Sequence, residues 1–193
     1  MEIPRMTTTH PVDILMAEHR VIERVLRALE LRMQDLDQRP FPYEFVMQAL
    51  DFFRNFADGC HHAKEEELLF PLLEQRGIPR EHGPVGCMLR EHVQGRKCLA
   101  EIRANVDAAR DGSADASAAV RAAALDYVGL LRQHIDKEDN ILFQMAIRAL
   151  SPEDERQLAE RFVEPSNPRL SPDVRRHYEA LADTLCSAPA AAA

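Results

Sequence analysis

The sequence predicts an all-α protein, an antiparallel up-down-up-down four-helix bundle followed by two short helices. Three observations carry this. Apolar residues recur in alternating steps of three and four along four long stretches, the pattern of helices that bury one face. The links between these stretches are short and rich in Pro, Gly, Asp and Ser, so consecutive helices run antiparallel. Glycine numbers only 7 in 193 residues and runs of β-branched residues are few, which disfavours a sheet with many tight turns.

The first helix is predicted over 11–36, with Val12, Leu15, His19, Ile22, Leu26, Leu29 and Met33 as its seam. Pro11 suits its first turn, and Arg39-Pro40-Phe41-Pro42 breaks the chain after it. The second runs over 43–76 with Val46, Leu50, Phe53, Ala57, His61, Glu65, Leu68 and Leu72 inward; Pro71 should kink its last turn, and Gly77 and Pro79 stop it. Gly83-Pro84 opens a third helix with the seam Val85, Met88, His92, Gly95, Leu99, Ile102 and Val106, closed by Asp111-Gly112-Ser113. The fourth spans 114–150, with Val120, Tyr127, Leu130, His134, Glu138, Ile141 and Met145 on one face. Ser151-Pro152-Glu153-Asp154 and Ser171-Pro172-Asp173 then start two short amphipathic helices, striped by Leu158 and Phe162 and by Val174, Tyr178, Leu181 and Leu185. Residues 1–150 are thus expected to form the bundle and 151–186 a helical extension that packs on it or makes a homodimer contact. The tail 187–193 has nothing to bury and is expected to be disordered.

Composition excludes several classes. The 24 Lys+Arg against 32 Asp+Glu give a net charge of −8 with no basic block, so nucleic acid is not an expected partner. No apolar run approaches the ~18 residues of a membrane span, and the first ten residues lack the pattern of a signal peptide. A cytoplasmic chain with no membrane partner is expected. Cysteines at 60, 87, 98 and 186 have no C-x-x-C spacing and make neither a zinc ribbon nor a redox pair.

An internal repeat picks out the chemistry. EHRVIERVL from Glu18 matches EHVQGRKCL from Glu91, and HHAKEEELLFP from His61 matches HIDKEDNILFQ from His134, both at an offset of 73 positions. In H-x-x-x-E the imidazole and carboxylate lie one turn apart on one helix face, so both reach a common point in the bundle interior. Two such pairs, His61/Glu65 and His134/Glu138, join His19 and His92 to give four imidazoles and two carboxylates. Burying these without partners would cost several kcal/mol per uncompensated charge, and a metal pair satisfies them together. Two metals bridged by two carboxylates fit the inventory; nitrogen and oxygen ligation without thiolate favours iron or manganese, with zinc not excluded by affinity.

These same stretches, with GPVGCMLREHVQGR between them, resemble the hemerythrin-like, HHE cation-binding family over roughly residues 10–148. The resemblance implies a centre of two non-haem Fe ions in a four-helix bundle, handling O2, nitric oxide or peroxide. Within the family the chain is more similar to the four-His, two-Glu bacterial di-iron proteins, which include proteins that repair iron–sulfur clusters, than to the five-His oxygen carriers. The carriers have H-x-x-x-H on the third helix, where this chain has Arg96 four after His92. They also end in H-x-x-x-x-D, and Asp139 stands five after His134, so it stays a metal candidate.

Further residues stand behind the main six. His62/Glu66 forms a second H-x-x-x-E pair about 100° around the helix, set behind His61/Glu65 because the repeat aligns His61 with His134. Glu23 lies four after His19, but its repeat partner is Arg96, which suggests a surface or supporting carboxylate ahead of a metal ligand. Gly95, on the seam where the repeat has Ile22, marks either a small-molecule pocket beside the metal or a close helix approach. Tyr127, seven before His134, either lines that pocket or packs in the core. Function stays open among three readings: a protein that binds or senses O2 or NO; an enzyme acting on peroxide in a catalase-like way, or donating iron to apo iron–sulfur proteins for cluster repair; and a metal-stabilised interaction module.

Overall fold

The computed structural model describes residues 10–36, 40–164, 167 and 169–187. The tail expectation, beyond Ser187, lies outside them. Helix α1 (Pro11–Gln34) starts on His10, whose Nδ1 accepts the Val12 amide at 3.1 Å and satisfies one of the unpaired donors of a helix start. The second rod begins as α2 (Tyr43–Phe52), widens into π-helical turns at Phe53–His62 and Glu65–Leu69, and ends as α3 (Phe70–Gln75). Helix α4 (Pro84–Arg110) follows Gly83, whose φ of 91° only glycine adopts readily. Helix α5 (Ala114–Lys137) is capped by Ser113, passes through a π turn at Glu138–Leu142 and continues as α6 (Phe143–Ala149). The four rods form the predicted bundle.

The π turns correct the reading of rods two and four as plain α-helices. Glu65 and Glu138 stand 73 apart, and each gives its carbonyl to the amide five residues on, Phe70 and Phe143. Such wide turns cluster at functional sites. Beyond them the buried face slips by one residue: Leu73 is buried instead of Leu72, and Leu142 instead of Ile141, which is 51% exposed. Pro71 is not their common cause, since its repeat counterpart is Gln144.

Two apolar blocks fill the interior, one around Ile22, Leu26, Phe53, Leu99 and Val128 and the other around Leu15, Leu69, Phe70, Phe143 and Phe162. Between them lies a polar layer. Along α1 the order is legible residue by residue: Val12 and Leu15 belong to one block, Glu18 and His19 to the layer, and Ile22 through Met33 to the other block.

Helix α7 (Pro152–Phe162) starts on a reciprocal Ser151/Asp154 capping box, and Asp154 also receives the Arg76 guanidinium at 2.6 and 2.9 Å, which fastens α7 to the end of the second rod. Helix α8 (Pro172–Ser187) lies against α1 and α2. It buries Ala182 and Leu185 in the first apolar block, sets Tyr178 against Phe52 and Phe56, and pairs Asp183 with Arg24 at 2.5 Å. Burying a leucine such as Leu185 contributes roughly 1.5–3 kcal/mol. The apolar stripe expected either to pack on the bundle or to make a homodimer contact thus packs on the bundle. Among the described residues no helix is long and apolar enough to cross a membrane.

Candidate metal centre

The polar layer holds His19, His61, His62, Glu65, His92, His134 and Glu138, all buried. Their donor atoms fall into two groups, each within 4.8 Å: His19, His61, Glu65 and Glu138, and His62, Glu65, His92 and His134. Glu138 Oε2 lies 3.2 Å from both His19 Nε2 and His134 Nε2, while Glu65 turns Oε1 to His61 Nε2 and Oε2 to His92 Nε2, each at 3.5 Å. His92 and His134 bring their Nε2 atoms to 3.1 Å. Yet His19 Nε2, His61 Nε2 and all four oxygens of Glu65 and Glu138 are buried without a hydrogen-bond partner. Native interiors rarely leave such groups unsatisfied, because each costs about 1–3 kcal/mol or more. Inward-facing imidazole nitrogens around carboxylates shared between two groups are the donor set two divalent cations would satisfy, so the residues fit a metal pair.

The outer faces of the rings are pinned by acids that recur at the 73-residue offset. His61 Nδ1–H donates to Glu18 at 3.1 Å, and Lys64 donates to the same carboxylate; His134 Nδ1–H donates to Glu91 at 3.0 Å, joined by Lys137. His19 donates to Asp139 and His92 to Glu66, each at 2.7 Å, and Arg20 and Arg96 clamp those two acids. A carboxylate only accepts, so these contacts place the proton on Nδ1 and leave Nε2 available to a metal.

Electrostatics prepares part of this state and opposes part of it. Burial drives the Glu18 carboxyl up, but Lys64 and His61 outweigh it and hold it at about 2. Burial and the neighbouring His19 push His61 down to about 4, so it is neutral and able to ligate. Burial and the charge of Glu138 raise Glu65 well above the usual carboxylate range. At His134 burial is opposed and overcome by Glu138 and Glu91, which lift it to about 9. The metal-free protein thus carries a proton on His134 at pH 7 that a metal must displace. We expect metal uptake at pH 7 to release protons, measured by pH-stat, and apparent affinity to climb until about pH 9. The sign for stability is opposite: a pKa raised from 6.5 to about 9 stabilises the metal-free fold fully below 6.5 and progressively less up to 9. Melting of the metal-free protein should therefore fall across that window; a flat profile with no proton release counts against this charge state.

The layer brings together all six main candidates, and His62 with them. His62, which the repeat sets behind His61, is buried in the layer at 5% exposure with its ring stacked on His92 at 3.8 Å. Glu66 and Asp139 lie one step out, as the acids that hold His92 and His19. Glu23 pairs with Arg20 at 2.9 Å on the surface. At Gly95, read as either a pocket or a close approach, the distances show a close approach: a Cβ there would meet Tyr127 Cε2 at 3.3 Å, and Tyr127 is packed edge-on to Phe53 at 4.9 Å. Gly95 is the seat of a core tyrosine. Glu18, Glu91, Lys64 and Lys137 complete the site beyond the predicted residues, and their identity across the repeat is the signal that marks them.

Comparison with known proteins gives the chain a cation-binding family. The hemerythrin HHE cation binding domain family matches residues 10–146. The chain is 35% identical over 127 residues to iron-sulfur cluster repair protein YtfE of Edwardsiella ictaluri, covering 65% of this chain and 57% of that protein. It is 29% identical over 172 residues to the uncharacterized proteins Mb2018 of Mycobacterium bovis and Rv1995 of Mycobacterium tuberculosis, covering 87% of this chain and 64% of theirs. The chain thus spans roughly three fifths of the length of these relatives. No solved structure matches it significantly.

Proposed function

This chain belongs to the hemerythrin HHE cation-binding family, and from that premise we propose that the layer holds two iron ions and that the protein binds or senses O2 or NO there. The observation that carries the reading is the set of six buried, unpartnered donor atoms on His19, His61, Glu65 and Glu138. Bound iron would supply the ferrous–ferric couple and coordination positions for a small ligand. The chain's part is preparation. Glu18, Glu91, Asp139 and Glu66 hold the rings with Nε2 inward, Glu65 and Glu138 offer carboxylates to more than one imidazole, and the two apolar blocks keep bulk water from the layer. Manganese suits the same ligands, and zinc is the main competitor by affinity.

A second reading is favoured by the similarity to the cluster repair protein: donation of iron to apo iron–sulfur proteins. One set of measurements separates the readings. Protein grown with added iron is assayed for metal, reduced without oxygen, and exposed in turn to O2, NO and peroxide while its visible spectrum is recorded. Two irons per chain and a reversible spectral change with O2 or NO are expected. Steady oxygen evolution from peroxide would favour the catalase-like reading, and loss of iron to an apo iron–sulfur protein the repair reading. Redox-silent zinc, or no metal, would overturn the iron centre and leave an interaction module.

A further inference from the structure

The repeat is broken at one place in the layer, by three side chains that touch one another. At the 73-residue offset His62 corresponds to Ile135, Asp58 to Leu131 and Arg96 to Glu23. His62 Nδ1 meets Asp58 Oδ1 at 3.3 Å, and Arg96 Nε donates to the same oxygen at 2.8 Å. Arg96 Nη2 also reaches Glu66, the acid that holds His92, at 2.7 Å. One guanidinium therefore orients two adjacent, stacked imidazoles. The backbone departs from the repeat at the same place: Phe53–His62 is π-helical, whereas the corresponding part of α5 is ordinary α-helix. More residues per turn means less rotation per residue, so the consecutive His61 and His62 both face the interior, which an α-helix would not allow as readily.

We infer that His62 is a third imidazole ligand to one ion of the pair, held by Asp58 and Arg96, so that the two ions sit in unequal sites. The inference rests on the metal-pair reading above. With Nδ1 engaged by Asp58, the remaining ring nitrogen faces the group formed with Glu65, His92 and His134. That ion has three imidazoles and one carboxylate, and the other has His19, His61 and both carboxylates. Asp58 and Arg96 are positioning residues, as partners that fix ring and tautomer commonly are.

The test is anaerobic calorimetric titration of the metal-free protein with ferrous iron, repeated with cobalt(II) to record the ligand-field spectrum. The wild type should bind two ions. His62→Ala should weaken one of them by more than about 100-fold, beyond the 10–100-fold typical of losing an outer partner, and change the cobalt bands of that site alone. Asp58→Asn, which loosens the His62 ring and leaves Glu66 on His92, should weaken the same ion by about 10-fold; it carries the test if His62→Ala does not fold. If His62→Ala, or Asp58→Asn in its place, binds both ions as the wild type does with unchanged cobalt bands, the inference is overturned while the metal pair stands. If the wild type binds no metal, the metal-pair reading fails and takes the inference with it.

Discussion

Adding two equivalents of ferrous iron to the metal-free protein is expected to raise its melting temperature by roughly 10 °C, and a chelator should reverse the rise. A ligand that binds only the folded state at about 1,000 times its Kd adds ~4 kcal/mol. For a domain of this size each kcal/mol moves the midpoint by about 2–4 °C. The folded state alone assembles the donors, since His19, His61/Glu65, His92 and His134/Glu138 come from four different rods. The metal-free fold also buries six donor atoms without hydrogen bonds, so removing metal should cost more here than in a protein whose site opens to water. Thermal melts with iron, with zinc and with chelator measure this; a midpoint that ignores metal would show that the layer is satisfied in some other way.

Glu65→Gln is expected to abolish tight binding of both ions while leaving the metal-free fold intact. Glu65 is the residue common to the two donor groups, with one oxygen turned to each. Loss of its charge should therefore weaken both sites by more than about 100-fold, since outer partners alone cost 10–100-fold. Burial and Glu138 already hold Glu65 towards its neutral form when no metal is present, so the amide is close to the resident species in shape and charge. The melting point of metal-free Glu65→Gln should match that of the metal-free wild type, which separates lost ligation from lost folding. Glu66→Gln, one residue along, serves as the control: it holds His92 from outside the layer and should weaken one ion only. Metal content after gel filtration and calorimetric affinity decide the matter.

Much of this was readable from residue order. The 3, 4 alternation of Val12, Leu15, His19 and Ile22 places an imidazole on a buried seam whatever the bundle around it, because side chains three and four apart share a helix face. The 73-residue offset pairs His61/Glu65 with His134/Glu138 for the same reason, and the capping signals at Ser113 and Ser151 mark helix starts chemically. Local periodicity is a property of the chain, so helices, seams and the burial of the six main candidates follow from it.

Other features depend on what meets what across the bundle. Rotation per residue changes in the π turns, so a pattern counted at the α period misplaces Ile141 and hides His62. Glu66 and Asp139 have the chemistry of ligands, and only the distances to His92 and His19 make them the acids that hold those rings. Gly95 accommodates Tyr127 from another helix, and Leu185 fills a core against α1 and α2, more than a hundred positions away. Such contacts join residues remote in sequence, and no one-dimensional period records which side chain arrives opposite which.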